Sequence, residues 1–345
     1  MTGGTGAFQH AVDDFDRMLA SKDAAERIRA CHRARRLDVP RQREILLKLL
    51  RDRSTYVAAL AAHYLEESAG LEEGDRLLET YLWLMADGLK RDPGCHIRNS
   101  LAICFGRLRH TAAVDALRSS LTIVQIEPIG GQPYDTAAHL RGTCALSLSE
   151  YRDVWSIPDI AVLLFQIIAM ANGVRKAAAT ALGRMCDASA ITPLVVKLRL
   201  PALEPDPDVL MECMTSLAQL EAEHLQRVLV PYLQGHDDGL AACALITMAN
   251  AQLADAPELI VASANRLTGA PLAAAVLGLV GHRSDNAGKA LLELSSHERS
   301  PVRAATAAAL ARRGGDSCRA ALKRLTEDEA APVREAALRE LEVPA

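Results

Sequence analysis

Ten histidines, eight cysteines and 43 carboxylates are the raw material for catalysis or metal binding in this chain of 345 residues. Zinc requires three or four ligands at first-shell spacing, as in H-E-x-x-H on one helix or paired C-x-x-C motifs. Neither pattern occurs. His63 with Glu66 and Glu67, and Glu221 with His224, share a helix face, but two candidate ligands fall short of a site. Cys31, Cys95, Cys104, Cys144, Cys186, Cys213, Cys243 and Cys318 are scattered singly, which is not a disulfide framework. Cys144, Cys213 and Cys243 fall inside apolar runs and read as small buried hydrophobes in a reducing compartment. There is no G-x-S-x-G, no P-loop and no dinucleotide fingerprint. The expectation is a protein with no catalytic residue, no metal and no cofactor.

Charge narrows the partners. The net charge of −4 gives no global attraction to nucleic acid or anionic lipid. Locally it is uneven: residues 22–53 carry eleven basic and five acidic side chains, whereas 200–265 carry ten acidic ones and only Arg227. The basic segment, with Arg33, Arg35, Arg36, Arg41 and Arg43, is the one place where phosphate contact is plausible. Two Trp and six Tyr leave few bases to stack on, so nucleic acid is disfavoured as a partner. The opening MTGGTGAFQHAVDDFDR does not read as a secretory signal, and the apolar run at 160–171 is too short to span a bilayer. A soluble cytosolic protein is expected.

The elements come from a repeat. In VRKAAATALGRM, Val174, Ala177, Ala178, Ala181, Leu182 and Met185 form one apolar helical stripe, with Arg175, Lys176 and Arg184 off it. Equivalent starts fall at Val57, Ile97, Leu140, Val209, Leu240, Pro271, Val302 and Val333; the last five intervals are 35 residues and then 31 four times. Four residues on, the column runs from Ala61 to Ala337 and is small except at Leu101; eight residues on, it runs from Leu65 to Leu341 and is large and apolar. A small residue admits a neighbouring helix and the larger one fills the next layer. Second apolar helices, such as 190–200 and 224–234, alternate with the first, so each unit is a helical hairpin. Only 3% of residues are aromatic, which suits close packing of small side chains.

These segments, best seen in VRKAAATALGRMCDASAITPLVVKL, resemble the HEAT-repeat superfamily, in particular the short bacterial repeats of the phycobilisome-lyase HEAT-like type. The resemblance covers roughly 55–345. It implies an all-α fold, a right-handed superhelical solenoid of eight to nine helical hairpins. The expected organisation is a basic helical cap over 1–54, irregular repeats over 55–173 with a loop insertion near 122–136, and regular repeats over 174–345. Deoxyhypusine hydroxylases of this superfamily hold a di-iron centre with recurring His-Glu pairs. Here His297-Glu298 is the single such pair, which disfavours that activity.

The functional expectation is a non-catalytic scaffold that binds another protein on the solenoid surface. Tyr134, Tyr151 and Trp155 flank the irregular insertion and are the candidate partner contacts, with core packing as the competing reading. The lyase resemblance implies an alternative role in handling a bilin or its apoprotein; a DNA-binding HEAT-like protein is a third possibility.

Overall fold

The computed structural model describes residues 15–166, 172–220 and 224–342. They divide into two compact units, residues 1–185 and 186–345. In the first, α1 (Ala24–Ala34) pairs with α2 (Val39–Leu49), α3 (Thr55–Ser68) with α4 (Gly74–Met85), α5 (His96–Leu108) with α6 (Val114–Ser120), and α7 (Ala137–Tyr151) with α8 (Ile157–Leu164), before α9 (Asn172–Arg184). The second runs from α10 (Ile191–Arg199) through the hairpins α11 (Pro207–Leu220) and α12 (Leu225–Leu233), α13 (Asp238–Asn250) and α14 (Ala256–Ser263), α15 (Gly269–Leu277) and α16 (Asp285–Leu294), and α17 (Ser300–Arg313) and α18 (Asp316–Leu325), to α19 (Ala331–Glu342). Within each unit the first helices stack on one another, α1 to α9 by odd numbers in one and α11 to α19 in the other. Hairpins therefore begin at Ala24, inside the segment expected to be a cap. No helix among the described residues is long and apolar enough to cross a membrane.

The sequence register accounts for this stacking. Every member of the small column, from Ala61 to Ala337, is buried. So is the large column from Leu65 to Leu310, whereas Leu341 on α19 is half exposed. At Gly106 in α5, a Cβ would lie 2.9 Å from Ser147 of α7, so the two helices meet there at glycine distance. The Ser147 hydroxyl donates to the Ala102 carbonyl at 2.8 Å across the same seam. Leu240 and Pro271 depart from their column: both are half-buried in the first turns of α13 and α15, and Ala241 and Leu272 take the buried places.

The arginine that follows the register residue is the main correction to the amphipathic reading. Arg98, Arg141, Arg175 and Arg303 are all buried, although the helical wheel places Arg175 off the apolar stripe. Arg303 shows why. Its Nε and Nη2 donate to the two oxygens of Asp328 at 2.7 and 2.9 Å, and its Nη1 donates to the carbonyls of His297 and Glu298 at 2.8 and 3.0 Å. Arg27 repeats the clasp with Asp52 at the same distances and with the carbonyls of Ser21 and Lys22 at 2.7 and 3.2 Å. Each guanidinium closes the turn before its helix and ties it to the next hairpin, and the low-polarity setting is tolerable because its donors are matched.

The insertion expected as a loop is a β-hairpin. β1 (Ile126–Ile129) and β2 (Gln132–Asp135) pair antiparallel, Glu127 opposite Tyr134 and Pro128 opposite Pro133. Gly130 and Gly131 close it with φ of +59° and +81°, the left-handed pair that a two-residue turn requires.

Candidate functional site

The first helices expose a face lined by the positions just before and two to three residues after the register residue. In the C-terminal unit this face forms a groove of about 600 Å³ across α11, α13 and α15. Thr215, Gly239 and Ala270 are exposed at its mouth, and Met211, Cys243, Ile246 and Ala274 line it half-buried. The side chains are small because close packing of consecutive first helices selects Ala, Gly and Thr there, and so the backbone is approachable. The charged residues of these three helices are Asp208, Glu212 and Asp238, without a lysine or arginine among them. Cys243, expected to be a buried hydrophobe, is half-buried and lines the groove. Burial, reinforced by the Glu212 charge, pushes its thiol upward, so it is a poor nucleophile. Burial likewise pushes Cys104, Cys144 and Cys213 up to about 12.

In the N-terminal unit the β-hairpin walls a second cavity, of about 620 Å³, over α3, α5 and α7. Tyr56, His96 and His139 line it, each immediately before its register residue, together with His63, Asn99 and Tyr134. A buried polar network fixes the wall. Asp92 accepts from the backbone N–H groups of Ile97 and Arg98, capping α5, and from Arg98 Nε at 3.0 Å. Arg98 Nη2 also donates to Gln125 at 2.6 Å, and Gln125 donates to Glu127 at 2.6 Å. Burial alone would raise the Glu127 carboxyl, but hydrogen bonds from Gln125, Thr136 and the Gly94 backbone outweigh it and hold the group below its usual range. On the other strand Asp135 accepts from Arg141 at 2.7 Å and from the N–H groups of Gln125 and Ala137.

The sequence candidates separate. Tyr134 lies in this cavity. Tyr151 is half-buried, and its hydroxyl donates to the carbonyls of Phe105 and His110 at 2.7 and 3.1 Å, a clamp between hairpins. Trp155 is 78% exposed on the turn before α8. The structure brings none of the three together in one pocket. In the basic segment, Arg33 lies over the Phe15 ring and Arg35 over Tyr64, at 5.5 and 4.8 Å. Arg43 is bound to Glu72, Glu73 and the Ser68 carbonyl, Arg41 is half-buried at the start of α2, and Arg36 is exposed. Glu221 and Glu223 of the acidic stretch lie outside the described residues. His297 bonds Asn265 at 3.0 Å, and among the described residues no group of three or more His, Cys, Asp or Glu is placed to hold a metal.

No protein-family model matches the sequence, and no curated protein matches it. Solved structures do. The karyopherin Kap121p bound to the extreme C-terminus of the protein phosphatase Cdc14p aligns over 99% of this chain at 12% identity with a TM-score of 0.52. Kap121p bound to Nup53p aligns over 96% at 12% identity with a TM-score of 0.50. The fold is an all-α solenoid like theirs. This chain spans about two-fifths of those proteins, 42% and 41%. Human deoxyhypusine hydroxylase in complex with glycerol aligns over 88% of this chain and 96% of its own, at 15% identity and a TM-score of 0.30.

Proposed function

We propose that this protein is a non-catalytic scaffold that binds a segment of another protein in the groove over α11, α13 and α15. The carrying observation is the groove itself: an apolar channel of about 600 Å³ on a stacked, semi-rigid face. A preformed surface loses little entropy on binding. The occupant is read from charge and size. The lining carries no charged side chain, so the groove suits apolar side chains. First helices packed roughly 8–10 Å apart give a channel that a helical segment of about a dozen residues would fill. The Kap121p structures bound to Nup53p and to the Cdc14p C-terminus support the reading, since the same fold there holds protein partners.

The test is a stoichiometric partner recovered with the wild-type chain from the native cells. Ile246→Asp, which sets a carboxylate in the groove, should abolish recovery, and Trp155→Ala should leave it intact. Equal recovery with Ile246→Asp would move the site elsewhere. Bilin handling, which the lyase-type resemblance implies, is read in the same eluate as absorbance in the red.

A further inference from the structure

We propose that the cavity beneath the β-hairpin is a binding site for a small organic anion, an apolar body bearing one carboxylate or phosphate. Its volume of about 620 Å³ falls in the range of small-molecule sites. The hairpin closes one side, and the network through Arg98, Gln125 and Glu127 holds that wall in place before any ligand arrives.

The lining sorts by chemistry. Ala59, Leu60, Leu140 and Ile129 supply apolar surface, and the rings of Tyr56 and Tyr134 add to it. Of the carboxylates at the cavity, Asp135 is paired with Arg141, and Glu66 lies 3.2 Å from His63 Nδ1. The Asn99 carboxamide oxygen accepts from Thr143 at 2.6 Å, which leaves its amide hydrogens to donate. His96 and His139 are exposed, come from successive first helices, and have no hydrogen-bond partner among the described residues. The His96 ring lies against Gly94, where a Cβ would come within 2.6 Å of Nε2 and the φ of +77° also demands glycine. Each imidazole keeps an N–H to donate and the Asn99 amide adds its own, so the lining can hold an anion's oxygens above an apolar floor.

A peptide strand fits less well. From the two-residue turn, the antiparallel ladder alternates so that Pro128 and Pro133, and then Ile126 and Asp135, face their backbone groups outward. Proline has no N–H to offer there, so neither edge of the hairpin extends readily. The groups that face a ligand and carry or can take charge are His63 and Glu66 from α3, His96 from α5, Asp135 from the hairpin and His139 from α7, with the phenols of Tyr56 and Tyr134 and the Cys95 thiol. Burial pushes that thiol up to about 11, so it stays neutral.

Calorimetric titration of the full chain with 2-naphthoate, 2-naphthyl phosphate and the neutral 2-naphthalenemethanol tests the site. The expected result is saturable binding of at least one anion. The neutral alcohol should bind about tenfold more weakly. Whichever of the two anions binds tighter identifies the headgroup. H96A/H139A should weaken binding of the anion about tenfold with an unchanged melting temperature, since both residues are exposed. Ala59→Trp should block binding. Equal binding of the alcohol, unaltered anion affinity in H96A/H139A, retention in Ala59→Trp, or no binding of either anion at millimolar concentration would each overturn the proposal. So would capture of a poly-glutamate peptide but neither naphthyl anion.

Discussion

Replacing Arg303 by alanine should detach the last hairpins of the C-terminal unit from one another without unfolding the rest. The side chains of Arg303 and Asp328 are each 10% exposed, and the guanidinium serves two carboxylates, Asp328 and, at 3.4 Å, Glu329, and two carbonyls. Removing one partner of a buried pair costs about 3–5 kcal/mol. The clasp sits at a turn where water can enter the vacated space, so the lower end, about 3 kcal/mol, is expected. For a unit of this size that corresponds to a fall in Tm of about 6–12 °C. Because a solenoid is coupled chiefly through nearest neighbours, the loss should be local. Amide exchange should quicken about a hundredfold in α17, α18 and α19 and stay unchanged in α3, α5 and α7. Asp328 adds a pH signature. Its hydrogen bonds from Arg303 hold its folded pKa below the ordinary value, against the opposing effect of burial. The stabilisation is therefore fully present above the unfolded pKa, about 4, and is lost as pH falls through the folded value. Asp328→Asn should remove that acid limb. An Arg303→Ala variant that exchanges like wild type in α17 to α19, or that loosens both units equally, would refute the clasp.

Three further outcomes follow from the packing and the wall. Ala244→Phe, at a fully buried small position, should overpack the seam of α13 and cost about 1–3 kcal/mol, read as a lower Tm. Glu127→Ala removes the acceptor shared by Gln125, Thr136 and Gly94, so exchange across 124–136 should quicken while α3 and α9 keep their protection. Gly130→Val places a β-branched residue at φ +59° and should cost about 1–2 kcal/mol, again visible first in hairpin exchange.

The stack was legible because each layer needs the same interface, and three columns of residue size repeat it. The errors have local causes. Leu240 and Pro271 fit the spacing, but each lies in the first turn of its helix, and the buried place passes to Ala241 and Leu272. Arg175 looks solvent-facing on a single helical wheel, because burial there depends on acceptors outside its own helix. A signal existed nonetheless: an arginine follows the register residue at 98, 141, 175, 303 and 334, and an aspartate stands 25 residues beyond Arg27 and Arg303. The β-hairpin was also readable, as Gly-Gly between two short runs rich in isoleucine, tyrosine and proline. The cavity required the same register extended by one column. Tyr56, His96 and His139 occupy the position before Val57, Ile97 and Leu140, and in the other unit Gly239 and Ala270 occupy it before Leu240 and Pro271. That column faces outward in both units, which is why one presents donors and the other a bare apolar channel. Tyr151 and Trp155 could not be told apart by their nearness to the insertion; only the tertiary fold turns one hydroxyl inward and leaves the other ring in solvent.

The central claim is that a partner segment lies across α11, α13 and α15. Its most direct test is the amide-exchange footprint of the full chain with and without the partner it co-purifies with. The account predicts slowed exchange concentrated in those three helices, with the second helices α12, α14 and α16 unchanged. A footprint confined to the second helices, or lying wholly in the N-terminal unit, would contradict it.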